Sequence, residues 1–124
     1  MKVTNLFKTI KIFSLMVLKK MLKFADPLPE MIMDGSKDTT WRIDDDKNIS
    51  IDDHLSCCYV NGKEFAQAYV EWVKMTRFGL LTDDDKEGHE PFDSDEEMYA
   101  TYSRYYNKEV TPSTKLKVVR YNKI

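Results

Sequence analysis

Cysteine is scarce in this chain. The two present, Cys57 and Cys58, are neighbours. Successive strand residues point to opposite faces, so a bridge between them would be strained. With no second pair, the spacing of a structural zinc site is missing as well. Reduced thiols in a cytoplasmic protein are the expectation, with no metal and no cofactor. Glycine and proline are few, four of each, which excludes a collagen-like or low-complexity chain. Long apolar runs are absent too. Ile12-Phe13-Ser14-Leu15-Met16-Val17-Leu18 is too short to span a bilayer and is stopped by Lys19 and Lys20. No internal repeat occurs.

Net charge is also small, −2, but it is unevenly spread. Residues 1–24 carry six lysines (2, 8, 11, 19, 20 and 23) and no acid, which leaves −8 on the remainder. A net-acidic body argues against indiscriminate coating of nucleic acid, so any such contact must come from a local patch. What is present is apolar content of 42% in 124 residues, enough for one domain with a modest core. Residues 1–20 read as a basic N-terminal leader or helix and 21–124 as the domain. The leader is open to three readings: an appended segment, with Met16 and Met21 as alternative starts; a docking helix with Leu6, Ile10, Phe13 and Val17 at helical spacing; or a membrane-surface contact.

Along the domain, Met21–Phe24 is a short strand candidate. Asp26-Pro27 opens a helix, with Asp26 as N-cap, Pro27 at the first position and Glu30 in the first turn, and Gly35 closes it. Thr39–Ile43 reads as a strand. Asp44-Asp45-Asp46 lacks the spacing and distal glutamate of an EF-hand loop and is expected to be a solvated turn. Leu55–Val60 is a strand leading into Asn61-Gly62, a strong hairpin signal. Glu64–Thr76 fits both a helical stripe and an alternating pattern, and its β-branched and aromatic content favours a long strand. Thr82 and Asp85 form a capping box for a short helix ended by Gly88. Ser94 opens a longer helix to about Asn107, carrying Met98, Tyr102 and Tyr105 on one stripe with Tyr99 and Tyr106 alongside. Lys115–Tyr121 reads as a closing strand with one basic face. The count is about five mainly antiparallel strands and two or three short helices, an α+β chain of the kind that closes into a small β-barrel.

The chemistry concentrates in Gly35-Ser36-Lys37-Asp38-Thr39-Thr40-Trp41-Arg42-Ile43. On a strand, Thr40 and Arg42 share one face while Thr39, Trp41 and Ile43 take the other, toward a core. Lys37, at the glycine-initiated turn, leans over the Thr40/Arg42 face. An amine, a hydroxyl and a guanidinium around one spot suit an anionic or carbonyl-bearing ligand. A solvated edge strand with an idle polar face is the alternative.

These residues resemble the ASCH domain family. The resemblance rests on Leu22-Lys23-Phe24, Met31-Ile32 and Asp34 to Arg42, the last holding glycine, lysine, threonine and arginine in the family's order. Asp52-Asp53-His54-Leu55, with Asp52 where glycine is usual, Val70–Thr76, Glu87-Gly88-His89-Glu90 with the aromatic helix from Ser94 through Tyr106, and Lys115–Tyr121 follow in sequence. It implies a PUA-like β-barrel and an RNA-binding module, with RNA or a modified nucleoside rather than DNA as the partner. One bacterial subgroup deacetylates modified cytidine with a threonine nucleophile, a lysine and a glutamate. Carried over, the catalytic set is Thr40, Lys37 and Glu90, with Glu87 as second choice for the acid. Arg42, Trp41, Lys63 and Tyr102 are the implied binding residues. A threonine hydroxyl needs a base to become nucleophilic. Lysine can be that base only when burial or a neighbouring cation such as Arg42 lowers its pKa. The oligomeric state stays open.

Overall fold

The computed structural model describes residues 19–124. Five strands run β1 (Lys20–Phe24), β2 (Thr39–Arg42), β3 (His54–Tyr59), β4 (Glu64–Arg77) and β5 (Lys115–Lys123). Three helices accompany them: α1 (Leu28–Met33), the single turn α2 (Asp83–Lys86) and α3 (Asp95–Tyr106). Residues 1–18, which hold nearly all of the expected leader, lie outside the described residues. Lys20 opens β1, one residue before the expected start of that strand, and ties to Asp53 at 2.7 Å.

The strand order is β1-β3-β4-β5-β2. The β1–β3 pair is parallel and the other three are antiparallel. Register shifts in β3–β4 and β4–β5 kink the long hairpin, and such bulges bend a sheet. The result is a curled half-barrel of the PUA-like kind. Its first and last strands, β1 and β2, share no ladder. Arg42 spans the seam instead: its guanidinium lies 4.9 Å from the Phe24 ring, and Nη2 approaches the Lys23 carbonyl at 3.5 Å.

An apolar cluster packs on each face of the sheet. Leu22, Phe24, Leu55, Cys57, Val70, Val119 and Tyr121 fill the inside of the curl. Trp41, Ile43, Phe78, Leu116 and Val118 meet Met98 and Tyr102 of α3 on the other side. Alternation along β2 and β5 assigns each residue to its layer. The face of β5 expected to be basic, that of Lys115, Lys117, Val119 and Tyr121, is largely covered. Lys117 turns inward to Asp45 at 2.7 Å and the Ile49 carbonyl at 2.9 Å. Arg120 stacks on Trp72 and donates to the Asp84 and Glu87 carbonyls. These cations are internal ties because loops fold over the sheet edges and present acceptors to them.

Local signals hold with small shifts. Pro27 occupies the cap position of α1 and Pro29 falls in its first turn, where a missing N–H is tolerated; the helix starts after the expected site. Gly35 follows α1 with φ +85, and Asn107 ends α3 in the left-handed region. The Thr82/Asp85 capping box forms as expected. Asp85 also receives Lys74 through both carboxylate oxygens, and its carbonyl accepts the Trp41 indole N–H at 3.0 Å. That bond fixes α2 against β2. No helix among the described residues is long and apolar enough to cross a membrane.

Candidate ligand cleft at the barrel seam

The glycine-initiated turn before β2 and the loop after α2 are stapled through one carbonyl. Gly88 O accepts from both Asp38 N (2.9 Å) and Thr39 N (3.1 Å). Thr39 Oγ1 donates to Glu87 O at 2.9 Å, and Tyr121 N donates to Asp38 O at 3.0 Å. Gly88 sits at φ +74, a backbone shape that glycine adopts without strain. This double staple delivers Glu90 to Lys37.

Lys37 is 2% exposed. Its ammonium donates to the Thr39 carbonyl and to Glu90 Oε1 at 3.2 Å, with Oε2 at 3.0 Å. Burial drives the Lys37 pKa down, opposed by the Glu90 charge. Burial pushes the Glu90 carboxyl up, but His89 and Lys37 outweigh it and hold Glu90 below the usual carboxylate range. Behind Glu90, His89 packs flat on Trp41 at 3.6 Å. Its Nδ1 faces the Glu90 carbonyl at 2.8 Å, and its Nε2 faces the Tyr102 hydroxyl at 2.9 Å.

In front of Glu90 lies a cleft of about 320 Å³ at the β1/β2 seam. Lys23, Thr40, Arg42 and Glu90 bring polar groups to its lining, while Phe24, Leu28, Tyr102, Tyr105 and Tyr106 supply much of its apolar wall. Arg42 Nε is buried there without a hydrogen-bond partner among the described residues. A buried donor left unpaired is costly, and Arg42 is one of the residues that line the groove. No hydrogen bond to the Thr40 hydroxyl is found among the described residues, and Lys37 does not reach it. No three metal-ligating side chains cluster among the described residues.

The structure thus gathers Lys37, Thr40, Arg42, Glu90 and Tyr102 at one place. Glu87 is not among them: its side chain is exposed, and only its carbonyl contributes. Register explains this, since Gly88 turns the chain so that the residue two beyond it faces inward. Lys63 stands exposed in the hairpin turn beyond Val60 and does not line the cleft. Trp41 reaches the cleft wall but is 3% exposed and spends its N–H on Asp85; it is a core residue rather than a free stacking platform. The sequence reading singled out Tyr102 but not Tyr105 or Tyr106 as a binding residue, and it gave no role to His89 behind the cleft. The 102/105/106 spacing, one face of a helix, was the available signal for the tyrosines.

Comparison with known proteins places this geometry. No family model and no curated protein sequence matches the chain. Among solved structures, an ASCH domain from Lactobacillus crispatus aligns with a TM-score of 0.60 at 13% identity, over 77% of this chain and 69% of that one. The ASCH protein of Zymomonas mobilis aligns with a TM-score of 0.56 at 14% identity, over 82% and 65%. A protein from Enterococcus faecalis V583 aligns with a TM-score of 0.67 at 12% identity, over 99% and 94%. At such identities the likeness is one of fold: the chain has an ASCH-like, PUA-like α+β architecture.

Proposed function

We propose that the cleft binds a single nucleobase, either extruded from RNA or belonging to a free modified nucleoside. The observation that carries this reading is that a guanidinium, Arg42, whose Nε lacks a partner among the described residues, and a carboxylate, Glu90, line one cleft with three tyrosines. A heterocycle edge offers an acceptor to the first and an N–H to the second, and its face can lie against tyrosine. At about 320 Å³ the cleft is near the small end of ligand sites, roughly 300–1,000 Å³, which suits one base better than a stacked run. Titration of short RNA and of cytidine tests the reading. Arg42→Ala should weaken binding about tenfold, the worth of one charged hydrogen bond; unchanged affinity would reject the site. RNA binding should fall with salt as for a few phosphates, and a flat salt response would favour the free nucleoside.

A second reading is favoured by two further observations: burial lowers the Lys37 pKa, and the Thr40 hydroxyl is unengaged beside the cleft. In this reading the chain deacylates a nucleoside such as N4-acetylcytidine. Thr40 Oγ1 attacks the amide carbonyl, its proton passes to Lys37, and the amine leaves with a proton supplied from the Lys37/Glu90 pair. Water then cleaves the Thr40 ester. Lys37 must first exchange the Thr39 carbonyl for the Thr40 hydroxyl, a tightening common on substrate binding. Thr40→Ala should abolish turnover of N4-acetylcytidine while leaving the circular dichroism spectrum unchanged. Turnover that survives the substitution excludes Thr40 as the nucleophile.

A further inference from the structure

Two large apolar side chains on the cleft lining stay open to solvent: Val60 is 64% exposed and Tyr105 60%. Phe24 and Tyr102 of the same lining are 3% and 4% exposed. A single exposed apolar residue is ordinary. Here two come together from separate elements, Val60 from the turn after β3 and Tyr105 from α3, and form a lip on one cleft. A cavity of about 320 Å³ holds one base, so the neighbour of that base in a strand must lie outside it. The Tyr105 ring stands at 80° to that of Tyr102, with centroids 5.7 Å apart. A base laid on Tyr105 is therefore nearly perpendicular to one laid on Tyr102. Stacked neighbours in a helix are parallel, so the two rings suit bases splayed apart, as a single strand allows.

Charge points the same way. The lining holds two cations, Lys23 and Arg42, against one acid, Glu90, and Glu90 is already paired with Lys37 at 3.0 Å. Lys23 is exposed. Beyond residue 24 the chain carries −8, so the cleft runs against the sign of the body around it. Such a local excess favours a phosphodiester over a neutral nucleoside. We propose that the lip is a second subsite: Tyr105, with Val60, takes the base next to the one in the cleft, and Lys23 meets the phosphate that joins them. The ligand is then single-stranded RNA of at least two nucleotides. This rests on the reading of the cleft as a base-binding site and decides between the two ligands that reading allows.

Titration of cytidine and of the trinucleotide CpCpC into the same protein tests this, read as the ratio of the two affinities. In wild type CpCpC should bind at least about tenfold more tightly than cytidine, the worth of one base stacked on an aromatic ring. Tyr105→Ala should reduce that ratio about tenfold, and Tyr105→Phe, which keeps the ring, should preserve it. Lys23→Gln should make the salt dependence of CpCpC binding shallower by about 0.7 in log–log slope, the value of one phosphate on a single strand. An equal loss for both ligands in Tyr105→Ala would place Tyr105 in the single-base cavity and overturn the second subsite. So would a ratio that the substitution leaves unchanged. A slope that Lys23→Gln does not alter removes Lys23 from the phosphate contact and overturns that part of the assignment. If wild type binds neither ligand, the base-binding reading itself fails and the subsite falls with it; if wild type binds both and only the ratio test fails, the subsite alone is overturned.

Discussion

Lys37→Met should lower the unfolding free energy by about 3–5 kcal/mol, the range for removing one partner of a buried ion pair, measured by urea denaturation. The size follows from what remains. Glu90 keeps His89 but loses the ammonium 3.0 Å away, and the Thr39 carbonyl loses its donor. Methionine fills the volume of the stem but offers neither charge nor N–H. The paired variant Lys37→Met/Glu90→Gln should recover a large part of the loss, because no uncompensated charge is then left behind. Lys108→Met provides the contrast: its partner Asp44 is well exposed, with a side chain at 74%, and surface pairs contribute little. Equal denaturation midpoints for Lys37→Met and Lys108→Met would mean that the Lys37–Glu90 pair adds nothing to the fold.

Gly88→Ala should cost about 2 kcal/mol from its left-handed backbone alone and should reduce ligand affinity more than that figure suggests. A methyl at this position would stand 1.7 Å from Asp38 Oδ1 and 3.3 Å from Thr39 Oγ1. The Asp38 side chain is exposed and can swing aside, so the clash is relieved cheaply. The backbone is not. If the peptide rotates to relieve φ +74, Gly88 O turns from Asp38 N and Thr39 N, and the loop no longer delivers Glu90. Asp38→Ala added to Gly88→Ala separates these causes. The double variant should stay near the single one in stability and binding; full rescue would show that the side-chain clash was the whole effect.

Much of the fold was legible because its elements carry local signals. Asn61-Gly62, the Thr82/Asp85 box, the Ser94 cap and the glycine after α1 each fix a boundary through chemistry confined to a few neighbours. Strand alternation likewise put Thr40 and Arg42 on one face and Trp41 with Ile43 on the other. The parallel β1–β3 pairing was not legible, since it joins segments whose own sequences say nothing of direction. Neither was the fate of the basic residues on β5. Whether Lys117 and Arg120 meet water or a carbonyl depends on loops that fold over them from far along the chain. At the cleft, the motif order brought Lys37, Thr40, Arg42 and Glu90 forward together. Glu90 could be separated from Glu87 only once the turn at Gly88 fixed which carboxylate faces inward. His89 entered only as a member of the Glu87-Gly88-His89-Glu90 segment, because its contacts with Trp41 and Tyr102 come from elements far along the chain.

Arg42 leaves the molecule with a conflict of duty. The guanidinium that a guest would engage is the same one that buttons the first strand to the second across a gap with no ladder. A guest that drew the guanidinium away from Phe24 and Lys23 would loosen the rim of the half-barrel, and the Lys23 carbonyl of β1 would then lose its side-chain donor.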